Sequence, residues 1–182
     1  MQTSELITAE QLAEMPGGRH SELVRGRLVP VNPANPHHGR IALLLGARLL
    51  AYVEPRKLGT VMVEAGFTLS RNPDTVRGPD VSFVRAGRRD FPPRRRFAPG
   101  PPDLAVEVVS PDNSLPQLLL KAAEYLGAGC ELVWIVDYDD ATARVLASGA
   151  VTLTLAAGDV LDGGSTLPGF TLPLAELFNP PV

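Results

Sequence analysis

Two acidic residues stand in runs that are otherwise apolar. Asp80 follows Gly78 and Pro79 in RGPDVSFVR, residues 77 to 85, and Glu107 lies at the centre of DLAVEVVS, residues 103 to 110. Carboxylates are costly to bury unless they are paired, protonated or bound to a metal. Hard cations such as Mg²⁺ prefer oxygen ligands and keep several waters, so two carboxylates, a backbone carbonyl and phosphate oxygens suffice. If the two strands are neighbours, the pattern predicts a divalent-metal site.

Four further residues could belong to this site. Lys121 falls on the side of a predicted helix that faces the sheet, where its ammonium either reaches the acids or extends past them to solvent. Glu22 precedes a short strand, and an isolated Glu there is usually exposed. His37 and His38 open a long helix, where a histidine can contact a phosphate or a metal-bound water. A structural or solvated role is the ordinary alternative for each histidine.

The elements that must position these residues are visible as periodic patterns. Apolar residues recur at helical spacing from Pro36 to about Arg56 and from 116 to 127, whereas ELVWIVD (131–137) is a near-continuous apolar run typical of a strand covered on both faces. Residues 21–31 predict two short strands that meet at Gly26, and 142–156 a C-terminal β-hairpin across Gly149. This order predicts an α/β or α+β fold, with a central mixed β-sheet flanked by helices.

Bulk composition narrows the class of protein. The 182 residues are 45% hydrophobic and 20% charged, which is typical of one globular domain covering residues 1–182. The single cysteine, Cys130, excludes an intramolecular disulfide and a thiolate zinc cluster. The N-terminus lacks the features of a signal peptide, and no apolar stretch is long enough to span a bilayer. We therefore expect a cytoplasmic protein that does not enter membranes.

Positive charge is concentrated in one segment. Residues 85–97, RAGRRDFPPRRRF, contain six arginines and one aspartate, although the whole chain carries −3. Such a basic loop can bind nucleic-acid phosphates, and it can equally be a solvated surface loop. The arginines that would contact phosphates are Arg88, Arg89, Arg94, Arg95 and Arg96.

The order of these segments resembles a known family. SELVRGRLV, HHGRI, RGPDVSFV, PPDLAVEVVSPDNS, KAAEYLGAGCELVWIVD and LPGFTLPLAELF follow one another as in the Uma-type putative restriction endonuclease family, of the PD-(D/E)XK nuclease superfamily. The resemblance extends over roughly residues 5 to 178. It implies the restriction-endonuclease-like fold and a metal-dependent phosphodiesterase site.

The resemblance also implies a role for each candidate. Asp80 and Glu107 would be the motif acids, and with the carbonyl of Val108 they would bind Mg²⁺ or Mn²⁺. The lysine usually found two residues after the acid is replaced by Val109, and Lys121 matches a lysine that has moved to the following helix. Glu22 and His38 match the acid near the N-terminus and the histidine before the long helix.

Two positions depart from the family pattern. Ser114 and Gln117 stand where an Arg and an Asp are usual, so the helix that carries Lys121 should start differently. A DNA endonuclease acting as a homodimer is the first hypothesis, since cutting two strands with one site per subunit favours a two-fold pair. The alternative is a catalytically faded nuclease fold that binds nucleic acid or oligomerises. A cupin-like β-sandwich with a histidine metal site is a third possibility.

Overall fold

The structure is a computed structural model that describes residues 6–88, 91, 96–111 and 113–178, apart from the side chain of Arg19. Four helices and thirteen strands lie in these ranges. The helices are α1 (Ala9–Glu14), α2 (Pro36–Val53), α3 (Leu115–Gly127) and α4 (Ala175–Phe178). None of these helices is long and apolar enough to cross a membrane.

A six-stranded mixed sheet forms the centre of the molecule. Its order is β11-β10-β9-β8-β6-β3, in which β8 and β9 are parallel and the other pairs antiparallel. The strands are β3 (Gly59–Val63), β6 (Val81–Arg85), β8 (Leu104–Val108), β9 (Leu132–Asp137), β10 (Thr142–Ala147) and β11 (Leu153–Ala156). Every residue of β8 and β9 is buried, as the apolar runs predict.

Helices cover both faces of this sheet, which confirms the predicted central sheet. On one face Val106 and Val108 join the largest apolar cluster with Leu45 and Leu49 of α2. On the other face, Ala105 belongs to a second cluster with residues of α3 and β9. Glu107 shares the face of Ala105 because side chains alternate along a strand. It therefore points towards α3.

A second, five-stranded sheet brings the N-terminal segment to α3. Its order is β2-β1-β5-β4-β7. The strands are β1 (Ser21–Val24), β2 (Arg27–Pro30), β4 (Phe67–Ser70), β5 (Thr75–Arg77) and β7 (Ala98–Pro99). The turn between β1 and β2 contains Gly26 at φ 75°, so the predicted hinge is confirmed.

The C-terminal region contains two hairpins. β10 and β11 pair in antiparallel fashion across Gly149, as predicted. A second hairpin of β12 (Val160–Asp162) and β13 (Thr171–Pro173) follows, and α4 comes directly after it. Both hairpins follow, in sequence, the segments that carry Asp80 and Glu107.

Candidate active site

Asp80 and Glu107 lie on neighbouring strands, as the sequence predicts. β6 pairs with β8 through Val81 and Val106, so Asp80 stands one residue before β6 and beside the end of β8. Its Oδ2 accepts a hydrogen bond of 2.7 Å from the Val108 backbone N–H. The Asp80 side chain is 19% exposed, which leaves the carboxylate accessible from solvent.

Glu107 is a buried acid with two protein donors. Its carboxylate lies 2.9 Å from Nζ of Lys121, and its Oε1 accepts a 2.9 Å hydrogen bond from the hydroxyl of Tyr125. Burial raises the pKa of Glu107 to about 7, although the Lys121 ammonium acts to lower it, and the charges of Asp80 and Glu22 raise it further.

Lys121 points into the site and does not extend to solvent. Its Nζ lies 2.9 Å from carboxylate oxygens of both Glu22 and Glu107, and it donates to the Gly78 carbonyl at 3.2 Å. Burial acts to lower the pKa of Lys121, but the two carboxylates outweigh it and raise the pKa well above its usual range. The ammonium is therefore charged at neutral pH.

The unusual start of α3 supports this orientation. Ser114 is the N-cap of the helix, and its backbone N–H donates to Oε1 of Gln117 at 2.9 Å, while the Ser114 side chain accepts from the Gln117 backbone. This reciprocal capping box satisfies free backbone groups of the first turn. The two residues that depart from the family pattern thus define the helix that directs Lys121 towards Glu107.

Glu22 joins the same cluster from the second sheet. Its Oε1 accepts from the Gly78 backbone N–H at 2.9 Å and contacts Lys121, and its Oε2 lies 2.7 Å from Arg77. Burial acts to raise the pKa of Glu22, but Lys121 and Arg77 outweigh it and the pKa is lowered. Glu22 is therefore ionised and buried, and not the exposed residue that an isolated Glu usually is.

The two histidines have different surroundings. His38 is buried, and its Nε2 lies 3.1 Å from Oδ2 of Asp80. That hydrogen bond raises the pKa of His38, although burial acts to lower it. His37 stacks on the ring of Tyr138 with centroids 5.9 Å apart. His38 thus belongs to the site, whereas His37 packs beside the turn after β9.

Sequence reasoning missed two members of the cluster. Tyr125 lies one helical turn after Lys121, and this i, i+4 spacing was the available signal. Arg77 stands directly before the Gly-Pro-Asp run, yet nothing in the sequence shows that it pairs with Glu22 and Glu124. Tyr125 contacts Glu107, and Arg77 contacts Glu22 and Glu124, so each contact joins residues that are distant in sequence.

The basic loop begins at the opposite end of β6. Arg88 donates to Oδ1 of Asp103 at 3.0 Å and to the Pro101 carbonyl at 2.8 Å, and Arg96 is exposed. Arg89, Arg94 and Arg95 lie outside the described residues. At a rise of about 3.3 Å per residue, the five residues of β6 separate this loop from Asp80 by roughly 17 Å.

The donor set fits a hydrated hard cation. No group of three or more Asp, Glu, His or Cys side chains is placed to bind a metal within the described ranges. Mg²⁺ does not require such a cage, because it commonly uses one or two carboxylates and retains waters. Asp80 and Glu107, beside the backbone of Val108, match that requirement. Glu107 also has an unfavourable burial that a nearby cation would relieve.

The fold of this chain closely matches a solved structure. The structure superposes on the crystal structure of a putative nuclease belonging to DUF820 from Anabaena variabilis with a TM-score of 0.82. The two chains are 21% identical, and the match covers 94% of this chain and 97% of the other. This likeness shows the restriction-endonuclease-like fold that the sequence predicts and excludes a cupin-like β-sandwich.

The chain belongs to the Uma2 family, described as putative restriction endonucleases, which it matches over residues 9–175. The family resemblance seen in the sequence is therefore confirmed. No curated protein matches the sequence.

Proposed function

We propose that this protein is a Mg²⁺- or Mn²⁺-dependent endonuclease that hydrolyses phosphodiester bonds of DNA. The observation that carries the proposal is that Asp80 binds the backbone of Val108 at the end of β8, next to Glu107 and its partner Lys121. The family to which the chain belongs supports a nuclease activity and DNA as its substrate.

Each residue of the site has a distinct task in this reaction. Asp80, Glu107 and the carbonyl of Val108 would bind the divalent ion, which supplies a water of lowered pKa and neutralises charge on the phosphate. Lys121 acts to lower the pKa of Glu107, and its ammonium would stabilise the negative charge that develops on the phosphoryl oxygens. His38 orients Asp80 through its hydrogen bond to Oδ2.

One observation favours the second candidate, a faded nuclease fold that binds nucleic acid or oligomerises. The Glu107 carboxylate already contacts Lys121 and Tyr125, so a metal must compete with these partners or bind beside them. In a faded fold this ion pair would be purely structural. The two functions differ in their dependence on a divalent ion: only the nuclease should be stabilised by the ion and require it to cleave DNA.

A plasmid-nicking assay tests the proposal directly. Purified protein should convert supercoiled DNA to nicked or linear forms with Mg²⁺ or Mn²⁺ and not with EDTA. Asp80→Asn should abolish cleavage, whereas Asp140→Asn, which removes an exposed acid elsewhere, should retain it. A wild type without divalent-dependent cleavage, or an Asp80→Asn variant that cleaves equally, would support the faded fold.

A thermal-shift measurement tests metal binding without relying on cleavage. A ligand that binds only the folded state stabilises it by RT ln(1 + [L]/Kd), which is about 2.7 kcal/mol at a hundredfold excess over Kd. The Tm of the wild type should therefore rise with Mn²⁺. Glu107→Gln keeps the volume of the side chain but loses its charge, so its Tm should not respond. An equal response in both proteins would place the metal elsewhere.

A further inference from the structure

Five charged side chains form an alternating chain through the site. Arg77 lies 2.6 Å from Glu124 and 2.7 Å from Glu22, and Lys121 lies 2.9 Å from both Glu22 and Glu107. The order is therefore Glu124, Arg77, Glu22, Lys121, Glu107. These residues come from β5, β1, α3 and β8, so the chain connects the second sheet to the central sheet through the helix.

Both carboxylate oxygens of Glu22 already accept hydrogen bonds from donors of the protein. Its two oxygens receive Arg77, Lys121 and the Gly78 backbone N–H, and only 9% of the residue is exposed. A carboxylate in this setting fixes the positions of its donors. Two of them matter for the proposed reaction, because Lys121 faces Glu107 and Gly78 is two residues before Asp80.

Arg77 determines where that carboxylate lies. Its guanidinium is rigid and only 12% exposed, and it bridges Glu22 on β1 and Glu124 on α3. A planar guanidinium holds two carboxylates in a fixed geometry that a lysine reproduces only in part. Removing it would leave Glu22 buried with one of its two cations lost, and the carboxylate would be free to rotate.

We propose that Arg77 is a positioning residue that acts through Glu22 to hold Lys121 and the turn carrying Asp80. The inference rests on the proposed nuclease function for its kinetic consequences. It assigns Glu22 to this clamp, and thus not to a metal ion or a metal-bound water. The clamp is defined as Arg77, Glu22 and the Gly78 backbone N–H.

The kinetic test uses Arg77→Met, Arg77→Lys, Glu22→Gln and the double variant Arg77→Met/Glu22→Gln. Arg77→Met and Glu22→Gln should each lower kcat by about 30- to 100-fold, with the half-saturating Mn²⁺ concentration within about twofold of wild type. Arg77→Lys should restore part of the loss. The double variant should be no worse than either single variant, because coupled residues act as one unit.

Three kinetic results would overturn the clamp. One is Arg77→Met with wild-type kcat while Glu22→Gln is impaired, and another is fully additive losses in the double variant. The third is a shift of about tenfold or more in half-saturating Mn²⁺ for Glu22→Gln alone, which would place Glu22 at the ion. Glu124→Gln is the matched control, since it removes the more exposed partner of Arg77 and should reduce kcat far less.

Amide exchange tests the clamp even if the wild type proves not to cleave DNA. The Gly78 amide should exchange at least about tenfold faster in Arg77→Met than in wild type, because its acceptor is no longer held. The Val133 amide in the buried strand β9 should be unchanged. Equal Gly78 exchange in the two proteins would refute the clamp, whereas absent cleavage with faster exchange would refute only the nuclease proposal.

The two lysines of the chain provide a second readout that is independent of activity. Lys121 and exposed Lys57 can be compared by amine labelling and mass spectrometry in the same sample. Glu22→Gln removes one of the two carboxylates beside Lys121, so labelling of Lys121 relative to Lys57 should rise severalfold. An unchanged ratio would show that Glu22 does not hold Lys121.

Discussion

The two ends of the paired strands β6 and β8 each carry a buried acid, and they differ in how its charge is balanced. At the end that is distant from the candidate site, Asp103 lies 3.2 Å from Arg85 and 3.0 Å from Arg88, and Arg85 also pairs with Glu131. Two carboxylates there meet two guanidinium groups. That cluster is neutral without any ligand.

The candidate site has an excess of negative charge. Its carboxylates are Asp80, Glu107, Glu22 and Glu124, and its permanent cations are Lys121 and Arg77. With all four carboxylates ionised and His38 neutral, this end of the strands carries −2, which is the charge that one divalent cation would balance. Without a cation, the raised pKa values of Glu107 and His38 let retained protons offset part of this charge. The comparison therefore teaches that burial of an acid alone does not mark a reactive site, whereas burial with uncompensated charge does.

Apart from loss of the metal-binding acids, the largest expected effect is the fall in cleavage when Lys121 is removed. Lys121→Met keeps most of the apolar stem but removes the ammonium, and the loss of one such charge stabiliser lowers kcat by about 10²- to 10³-fold. The Mn²⁺-dependent rise in Tm should remain, because both acids are retained. Lys57→Met is the matched control. Cleavage at the wild-type rate by Lys121→Met would show that Lys121 is not the migrated lysine.

Replacing Asp103, at the opposite end of β6 and β8, should lower stability and leave cleavage nearly unchanged. Asp103→Asn removes the carboxylate partner of Arg88 and one of the two carboxylate partners of Arg85. Because both guanidinium groups are more than a third exposed, this loss should lower the free energy of unfolding by about 1–3 kcal/mol. Urea unfolding measures this loss. The cleavage rate of the folded variant should stay within about twofold of wild type. A large fall in cleavage without a loss of stability would contradict the division between the two ends.

Without metal, Glu107 should make stability depend on pH. Its folded pKa of about 7 exceeds the ordinary value of 4.5, so between these pH values the folded state keeps a proton that the unfolded state has lost. The free energy of unfolding therefore falls as pH rises through this window and levels off above it. The two pKa values differ by about 2.5, so at about 1.36 kcal/mol per pKa unit the contribution over the whole window is about 3 kcal/mol.

Comparison of wild type with Glu107→Gln between pH 5 and pH 8 isolates this contribution. Other groups titrate in both proteins, including Glu22 with its lowered pKa, so only the difference between the two curves reports Glu107. The difference should change by the stated amount and in the stated direction. Parallel curves would mean that Glu107 ionises normally.

Much of the central fold was predictable because its signals are local. The apolar run at 131–137 predicted a buried strand, and β9 occupies Leu132–Asp137. Helical spacing from Pro36 predicted α2, which begins at that residue behind the Asn35 cap. The placement of Asp80 and Glu107 at the same end of neighbouring strands was also accessible, since a single acid in each apolar run indicated one shared environment.

The clamp and the second sheet were not predictable in the same way. Arg77 meets Glu22 across 55 residues and Glu124 across 47, and a lone Arg or Glu in sequence is usually solvated. In the second sheet β1 pairs with β5, and no periodic pattern within either segment predicts this long-range pairing. Charge alone was also ambiguous for the basic loop, where Arg88 is held by Asp103 at the end distant from the site.

The smallest expected effect concerns that basic loop and DNA affinity. If Arg94, Arg95 and Arg96 contact phosphates, their replacement by Ala should lower the slope of log K against log salt by about 0.9 for each lost contact. The loop begins roughly 17 Å from Asp80, about five base pairs at 3.4 Å each, so it would bind flanking DNA and not the scissile phosphate. The change should therefore raise KM and leave kcat nearly unaltered.

Arg88→Ala is the matched control for this basic-loop variant, because Arg88 neutralises Asp103. The control should lower Tm and leave the salt slope unchanged. An unchanged slope in the triple variant would assign the loop to the solvated surface, and a loss of kcat would mean that the two ends of the strands are coupled.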